Sequence, residues 1–298
     1  MSEEKKEVAQ LTPVQTFQNQ LKGYEGNIRD LLAIHGMTER EFMVVTLNSI
    51  KKVPKLLECD RKTLIAAILT SAELGLPPNT PLGLSYILPY NRKVKVGNQW
   101  THVLEAQWQP GYQGLLEVVL RNPRVESIDS GIVYSNETWV FNKGLRDPFS
   151  HTPLPPSKRG EPVGAYAIAW LKDSVKPKVV FLYKEEIDMF KKISQGANSE
   201  YSPWNSDEKD PAKWMWRKTC IKQLIKELPK TKEMARAYVH DNVVEMGGSQ
   251  TVTEEGTVEV IESDFQKNQP KIEQKEAKDA NIASTIQDGL FDKNKKES

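Results

Sequence analysis

From Gln99 to Gln109 polar and apolar residues alternate over a long stretch, and a Gly97-Asn98 pair stands just before that run. Such a pattern commits the middle of the chain to a β-hairpin, because a strand shows its side chains alternately on two faces and Gly-Asn suits a tight turn. Leu84 to Pro89 and Lys93 to Val96 read as the outgoing strand segments. In the returning strand Trp100, His102, Leu104, Ala106 and Trp108 share one face. Gln99, Thr101, Val103, Glu105, Gln107 and Gln109 share the other. Lys93 and Lys95 point one way, while Val94 and Val96 point the opposite way.

Before this hairpin the chain reads as helical from Leu11 to Gly75. Thr38-Glu-Arg-Glu has the spacing of a capping box, and Pro54 ends the helix it starts. Asp60 caps a further helix, Arg61 to Leu74, with an apolar stripe of Leu64, Ile65, Ile68 and Leu69. After the hairpin, Pro110-Gly111 breaks the strand and Tyr112 to Arg121 reads as a short helix. Strands are expected at Val125 to Tyr134, Thr138 to Phe141, Val163 to Leu171 and Lys178 to Tyr183. Helices are expected at Lys184 to Ile193, Pro211 to Leu228 and Lys232 to Val239. Hairpin strands followed by helices predict an α+β fold, an antiparallel sheet with helices packed on it. The expected division is a helical region over 1–75 for packing or subunit contact, an α+β core over 76–246, and a disordered acidic tail over 247–298.

Charge supports that division. The sequence has 41 basic and 40 acidic residues in all, but Asp241 to Ser298 holds 7 Lys, no Arg and 13 acidic residues, a net of −6. The remainder, with 34 basic and 27 acidic residues, carries +7 and all seven tryptophans. A basic, aromatic-rich body with an acidic appendage suits a polyanionic partner. Cys59 and Cys220 form neither a disulfide pattern nor a metal-ligand spacing, and the first residues lack the apolar core of a secretion signal. A cytoplasmic location is expected.

Three places carry candidate chemistry. The hairpin bearing Lys93, Lys95, Gln107 and Gln109 suits a phosphate backbone, and equally a solvated hairpin face. On the helix from Pro211 to Leu228, Trp214, Ile221, Leu224, Ile225 and Leu228 form an apolar arc. Lys218, Lys222 and Lys226 make a ridge beside it, whereas Arg217 falls inside the arc with Lys213 near the same direction. An arginine there needs an anion, either a buried carboxylate or a phosphate. The loop from Gln195 to Asp210 offers Tyr201 and Trp204, either as a stacking platform for bases or as a cover for the sheet edge.

Enzymatic readings find little support. The sequence has no G-x-x-x-x-G-K-[ST] phosphate loop and no G-x-G-x-x-G, and its four histidines are scattered. No cofactor or metal is expected. Acidic pairs such as Glu185-Glu186 and Asp207-Glu208 fall on surface segments, which weakens a metal-dependent nuclease.

Gln107-Trp-Gln-Pro-Gly-Tyr-Gln-Gly-Leu115, Arg159-Gly-Glu-Pro-Val-Gly-Ala-Tyr-Ala-Ile168, Ser202-Pro-Trp, Trp214-Met-Trp-Arg-Lys-Thr-Cys-Ile221 and Leu228-Pro-Lys follow one another in an order and spacing that resemble the RecT family. The likeness runs from roughly Leu11 to Val244. It implies a phage or prophage recombination protein of the bacterial cytoplasm that anneals complementary strands without ATP and is not an enzyme. It implies assembly into rings or helical filaments, with single-stranded DNA and the annealed duplex intermediate held in a continuous groove. The partners it implies are a phage exonuclease and the host single-strand binding protein. A passive single-strand coating protein is the alternative. The likeness strengthens Lys93, Lys95, Gln107, Gln109, Arg217 and Lys218 as DNA contacts, although the basic residues are assigned by charge and position. In the tail, Gln287-Asp-Gly-Leu-Phe291 resembles the peptide that docks replication proteins on a sliding clamp, with Gln287, Leu290 and Phe291 as anchors.

Overall fold

The computed structural model describes residues 11–96, 98–143, 149–194, 197, 202–205, 211–245, 248–253 and 257–261. Its N-terminal region is helical, as the capping residues dictate. Thr12 and Gln15 form a capping box with Pro13 in the first turn of α1 (Pro13–Lys22), and α2 (Glu25–Leu32) follows. Thr38 and Glu41 form a second box at the start of α3 (Glu39–Lys52), and a 3₁₀ turn spans Pro54–Glu58. The Asp60 carboxylate accepts the Thr63 N–H at 3.1 Å and starts α4 (Arg61–Glu73). Every residue from Thr63 to Ala72 is buried, so the stripe expected from Leu64 and Ile68 is only part of what α4 hides. A helix apolar all round belongs in the interior, and small residues such as Ala66 and Ala67 let neighbours close on it from several sides. Gly75 ends it with φ +59°, and a Cβ there would meet the His35 ring at 2.4 Å.

The hairpin consists of β1 (Ser85–Val96) and β2 (Gln99–Pro110), paired from Ser85↔Pro110 to Val96↔Gln99. β1 runs unbroken through Pro89, where the sequence suggested two pieces. The Ile87 N–H and C=O point away from β2 to the Asn79 side chain, so Pro89, two residues on, also turns its nitrogen to the free edge. A missing N–H costs nothing there. Along the far edge of β2, Asp60 N–H donates to Leu104 O at 2.8 Å and Ala106 N–H to Thr63 Oγ1 at 3.0 Å. The start of α4 therefore closes that edge.

A second antiparallel sheet has the order β3-β6-β7, from β3 (Val125–Tyr134), β6 (Pro162–Leu171) and β7 (Lys178–Tyr183). Ala165, Ala167 and Ala169 of β6 face the core, where α7 (Trp214–Glu227) lies across the sheet with α5 (Tyr112–Leu120) beside it. The opposite face is partly covered by a hairpin of β4 (Thr138–Phe141) and β5 (Phe149–Thr152), the latter not anticipated. Trp139 stacks on Phe181 with ring centres 4.8 Å apart, and Phe149 packs at a tilt against Tyr166 at 4.4 Å. The buried Glu137 carboxylate secures this hairpin by accepting hydrogen bonds from Tyr134 N, Leu154 N and His151 Nε2, with Arg159 at 3.3 Å. Burial works to raise the Glu137 pKa, but these donors outweigh it and leave the carboxyl below its ordinary value.

α6 (Lys184–Ile193) and α8 (Lys232–Glu245) complete the helices. α7 begins at Trp214 rather than Pro211, because Lys213 takes left-handed angles (φ 53°, ψ 46°) that no helix can pass through. α8 runs six residues past the expected Val239. Order also continues past the expected boundary at Gly247: β8 (Ser249–Val252) pairs with β9 (Val258–Ile261), and β8 packs on α4. The boundary at Gly75 is no break in the core either, since Leu64 and Leu69 share one apolar cluster with Trp108, Ala167 and Leu224. Residues 262–298, including Gln287, Leu290 and Phe291, lie outside the described residues. Among the described residues no helix is long and apolar enough to cross a membrane.

Candidate nucleic-acid interface

Two motifs about a hundred residues apart in sequence meet where β2 ends and α7 begins. Gly111 and Gly114 make the approach of the first motif to the 83–84 segment feasible, since a Cβ on either would lie 1.9 Å from the carbonyl oxygen of Gly83 or Leu84. The turn so formed presents the Pro110 carbonyl to α7, where Lys218 Nζ donates to it at 3.1 Å. Tyr112, the next residue but one, packs its ring 4.6 Å from Trp214 and shares a 2.6 Å hydrogen bond with Ser130 Oγ.

Lys218 and Lys222 then converge on one carboxylate. Lys218 Nζ lies 3.1 Å from Asp241 Oδ1 and Lys222 Nζ 2.7 Å from Asp241 Oδ2, with all three side chains largely buried. Burial pushes the Asp241 pKa up, but the two ammonium groups outweigh it and hold the carboxyl ionised, below its usual range. The ridge read from the sequence as facing DNA is thus turned inward at Lys218 and Lys222, where it ties α7 to α8. Gln107 is likewise buried, and its Nε2 donates to Gly248 O at 3.1 Å. Local periodicity cannot reveal these partners, because each lies on a distant segment.

Arg217 differs from its neighbours. Its guanidinium sits 4.6 Å over the Trp214 ring, and its Nε is buried without a hydrogen-bond partner. Among the described residues no carboxylate pairs with it. Of the two anions that the sequence allowed, the carboxylate is therefore missing from the described structure. Trp214 is 39% exposed, so the stacked pair reaches the surface. Lys213, at the helix start, lies 5.9 Å from the Trp216 ring.

The distal half of the hairpin forms a second candidate surface. The register Lys93↔His102 and Lys95↔Trp100 places both lysines on the tryptophan-bearing face, rather than with Gln107 and Gln109. Lys93 Nζ stands 5.3 Å over the Trp100 ring, which is 56% exposed. The backbone of Lys95 belongs to β1, while its side chain lies outside the described residues. Trp100 was missed as a candidate, although a two-residue turn at Gly97-Asn98 already pairs it with Lys95. Gln109 is half-buried and donates to Tyr90 Oη at 2.9 Å.

Trp204 does not stand free as a stacking platform. It lines a cleft among α6, α7 and α8 with Phe190, Lys222 and Tyr238, and its carbonyl accepts from Lys191 Nζ at 3.2 Å. Tyr201 lies outside the described residues.

Comparison with known sequences agrees with these motifs. A family profile described as RecT family matches residues 40–279, which takes in both motifs and the β8–β9 hairpin. The chain is also 30% identical over 206 residues to Protein RecT of Escherichia coli (strain K12), covering 69% of this chain and 72% of that one. With most of its length matched, the chain belongs to the RecT family.

Proposed function

We propose that this protein is an ATP-independent single-strand annealing protein that holds DNA by its sugar-phosphate backbone in an oligomeric groove and leaves bases free to pair. Family membership supports a single-strand annealing recombination protein. The observation that carries the finer reading is Arg217, stacked on a surface tryptophan with an unpartnered Nε, at the point where the two motifs meet. A cation so placed, with no carboxylate to neutralise it among the described residues, suits a phosphate oxygen.

Lys93, Lys95, Gln109, Lys213 and Arg217 are the contacts we assign to DNA, with Trp100 added and Tyr201 as a stacking residue. Lys218 and Lys222 position α7. Annealing demands that pairing edges stay exposed, so the grip belongs on phosphates and sugars. One subunit with few such contacts binds weakly, whereas a ring or filament of copies multiplies them and fixes the strand in register. No bond is made or broken, and the reaction needs no cofactor. A phage exonuclease and the host single-strand binding protein are the proposed partners in a bacterial cytoplasm. Gln287, Leu290 and Phe291 form a proposed anchor for a sliding clamp, tested by pull-down with Leu290→Ala and Phe291→Ala.

The decisive experiment mixes two complementary oligonucleotides, one fluorescent and one quenching, with the purified protein and no nucleotide. Faster pairing than in buffer is expected. Slower pairing would identify a passive coating protein, and magnesium-dependent loss of DNA ends on a gel would identify a nuclease.

A further inference from the structure

Glu137, His151 and Tyr166 form a hydrogen-bonded chain that leads from a buried carboxylate toward Arg217. His151 Nε2 lies 2.9 Å from Glu137 Oε2, and His151 Nδ1 lies 3.4 Å from Tyr166 Oη. The Tyr166 ring leans from β6 across its register partner on β3, Gly131, where a Cβ would meet the hydroxyl at 2.6 Å. A glycine there leaves room for the hydroxyl over the edge strand. Arg217 approaches the same strand by another route. Its guanidinium covers Trp214, Trp214 packs against Tyr112, and Tyr112 shares a hydrogen bond with Ser130, the residue before Gly131. The two routes meet electrostatically. Burial pushes the Tyr166 pKa up, the charge of Arg217 works against that rise, and those of Asp129 and Glu137 add to it. A half-buried hydroxyl thus lies in the field of a cation whose Nε is unpartnered.

The proton count on His151 decides what this hydroxyl can offer. Burial notwithstanding, the Glu137 carboxyl is held ionised by its donors, so His151 Nε2 carries a hydrogen and donates to it. In a neutral imidazole Nδ1 is then an acceptor, and the Tyr166 hydrogen is spent on it. In an imidazolium Nδ1 donates as well, to the Tyr166 oxygen, and the hydroxyl hydrogen turns outward toward an anion. At 3.4 Å the His151–Tyr166 contact is long, so little holds the hydroxyl in the first arrangement. A phosphate oxygen accepts from the second, and Arg217 already favours an anion there. The charged and titratable groups facing His151 are Glu137 with Arg159 behind it, and Tyr166 with Asp129 and Arg217 beyond. Trp139, its partner on β4, and Phe149 supply the remaining walls.

We infer that Tyr166 is a further phosphate-binding residue beside Arg217, and that a DNA backbone phosphate seated there binds together with a proton on His151. This rests on the annealing function proposed above. The linkage is reciprocal: the strand favours the protonated imidazole, and protonation favours the strand by the same factor.

Calorimetric titration of the full chain with a short single-stranded oligonucleotide, at one pH in two buffers of unlike ionisation enthalpy, tests this. The measured enthalpy is expected to differ between the buffers in the sense of net proton uptake. Tyr166→Phe keeps the ring over Gly131, and should abolish that difference while weakening binding about tenfold, the loss of one hydrogen bond to a charged group. His151→Gln keeps a donor for Glu137 and should abolish the uptake as well. A buffer-independent enthalpy in the parent would overturn the proton linkage and leave the annealing function standing. Uptake that persists in Tyr166→Phe would put the proton on another group, such as the exposed Asp129, and overturn the linkage too. Parental affinity in Tyr166→Phe would remove the hydroxyl from the site. Failure of the parent to bind the oligonucleotide would sink both readings.

Discussion

The Lys222 ammonium lies 2.7 Å from the Asp241 carboxylate at the buried junction of α7 and α8, and Lys218 reaches the same carboxylate from one turn earlier. This triad ties together α7, which carries Arg217, and α8, so its energetics bear on the proposed function at one remove.

Replacing Asp241 by Asn leaves two buried ammonium groups against a neutral amide. Breaking a buried ion pair from one side costs about 3–5 kcal/mol, and a loss of that order is expected in urea unfolding. The same carboxyl has a folded pKa below its unfolded value, so its stabilisation is present above the ordinary carboxylate range and disappears as pH falls through the folded value. Asp241→Asn should therefore also flatten the acid limb of the stability curve. A loss under about 1 kcal/mol would show that the triad does not hold α7 to α8.

His240 supplies a milder pH dependence. Its imidazole lies edge-on to Trp108 at 6.1 Å, and burial, aided by the charge of Arg236, pushes its pKa down to about 4. The unfolded chain keeps the ordinary value of 6.5, so between those limits it binds the proton more readily than the folded chain does. Stability is expected to fall as pH drops from neutral toward 4. His240→Gln should remove most of that slope when urea midpoints at pH 7.5 and about 5 are compared. A variant that keeps the full slope would assign it to other groups.

Arg217→Ala is expected to weaken single-strand binding for all sequences alike. If Arg217 neutralises one phosphate, the slope of log affinity against log salt should become shallower by about 0.7. Arg217→Lys keeps the charge but loses the planar stack on Trp214, so it should retain most of the slope and part of the affinity. Wild-type affinity and slope in a folded Arg217→Ala protein would make the residue structural.

At the hairpin tip, Lys93→Ala and Trp100→Ala remove exposed side chains that the core does not use. The unfolding free energy should change by no more than about 0.5 kcal/mol in either variant, read by urea unfolding. If bases stack on Trp100, its loss should cost about 1–3 kcal/mol of binding, read by oligonucleotide titration. Binding equal to that of the parent would remove the arm from the interface.

Features set by near neighbours were legible in the sequence. Thr38 with Glu41, Asp60 with Thr63, and Gly97-Asn98 between alternating runs each specify their element within a few residues. The pairing of Lys95 with Trp100 is also dictated by a two-residue turn, yet the sequence reading grouped the lysines with Gln107 and Gln109 and passed over it. Gln107, Lys218 and Lys222 illustrate the opposite case. Each has the composition of a surface contact, and each is buried by a segment that no local pattern connects to it: Gly248 for the first, Asp241 for the others. The four-residue strands β8 and β9 escaped notice because Thr, Glu and Gln dominate their surroundings, and β8, which carries the buried Val252, packs chiefly on α4, a segment far away in sequence.

Pro89 on the open side of β1 has a consequence for how copies of this chain come together. The N–H of Ile87 is already taken by Asn79, and Pro89 has none to offer, so consecutive outward donors are withdrawn from that margin. An incoming strand from another molecule would find no ladder to climb at the base of the hairpin. In the proposed ring or filament, contacts between copies would then use side-chain surfaces rather than a continued sheet at this edge.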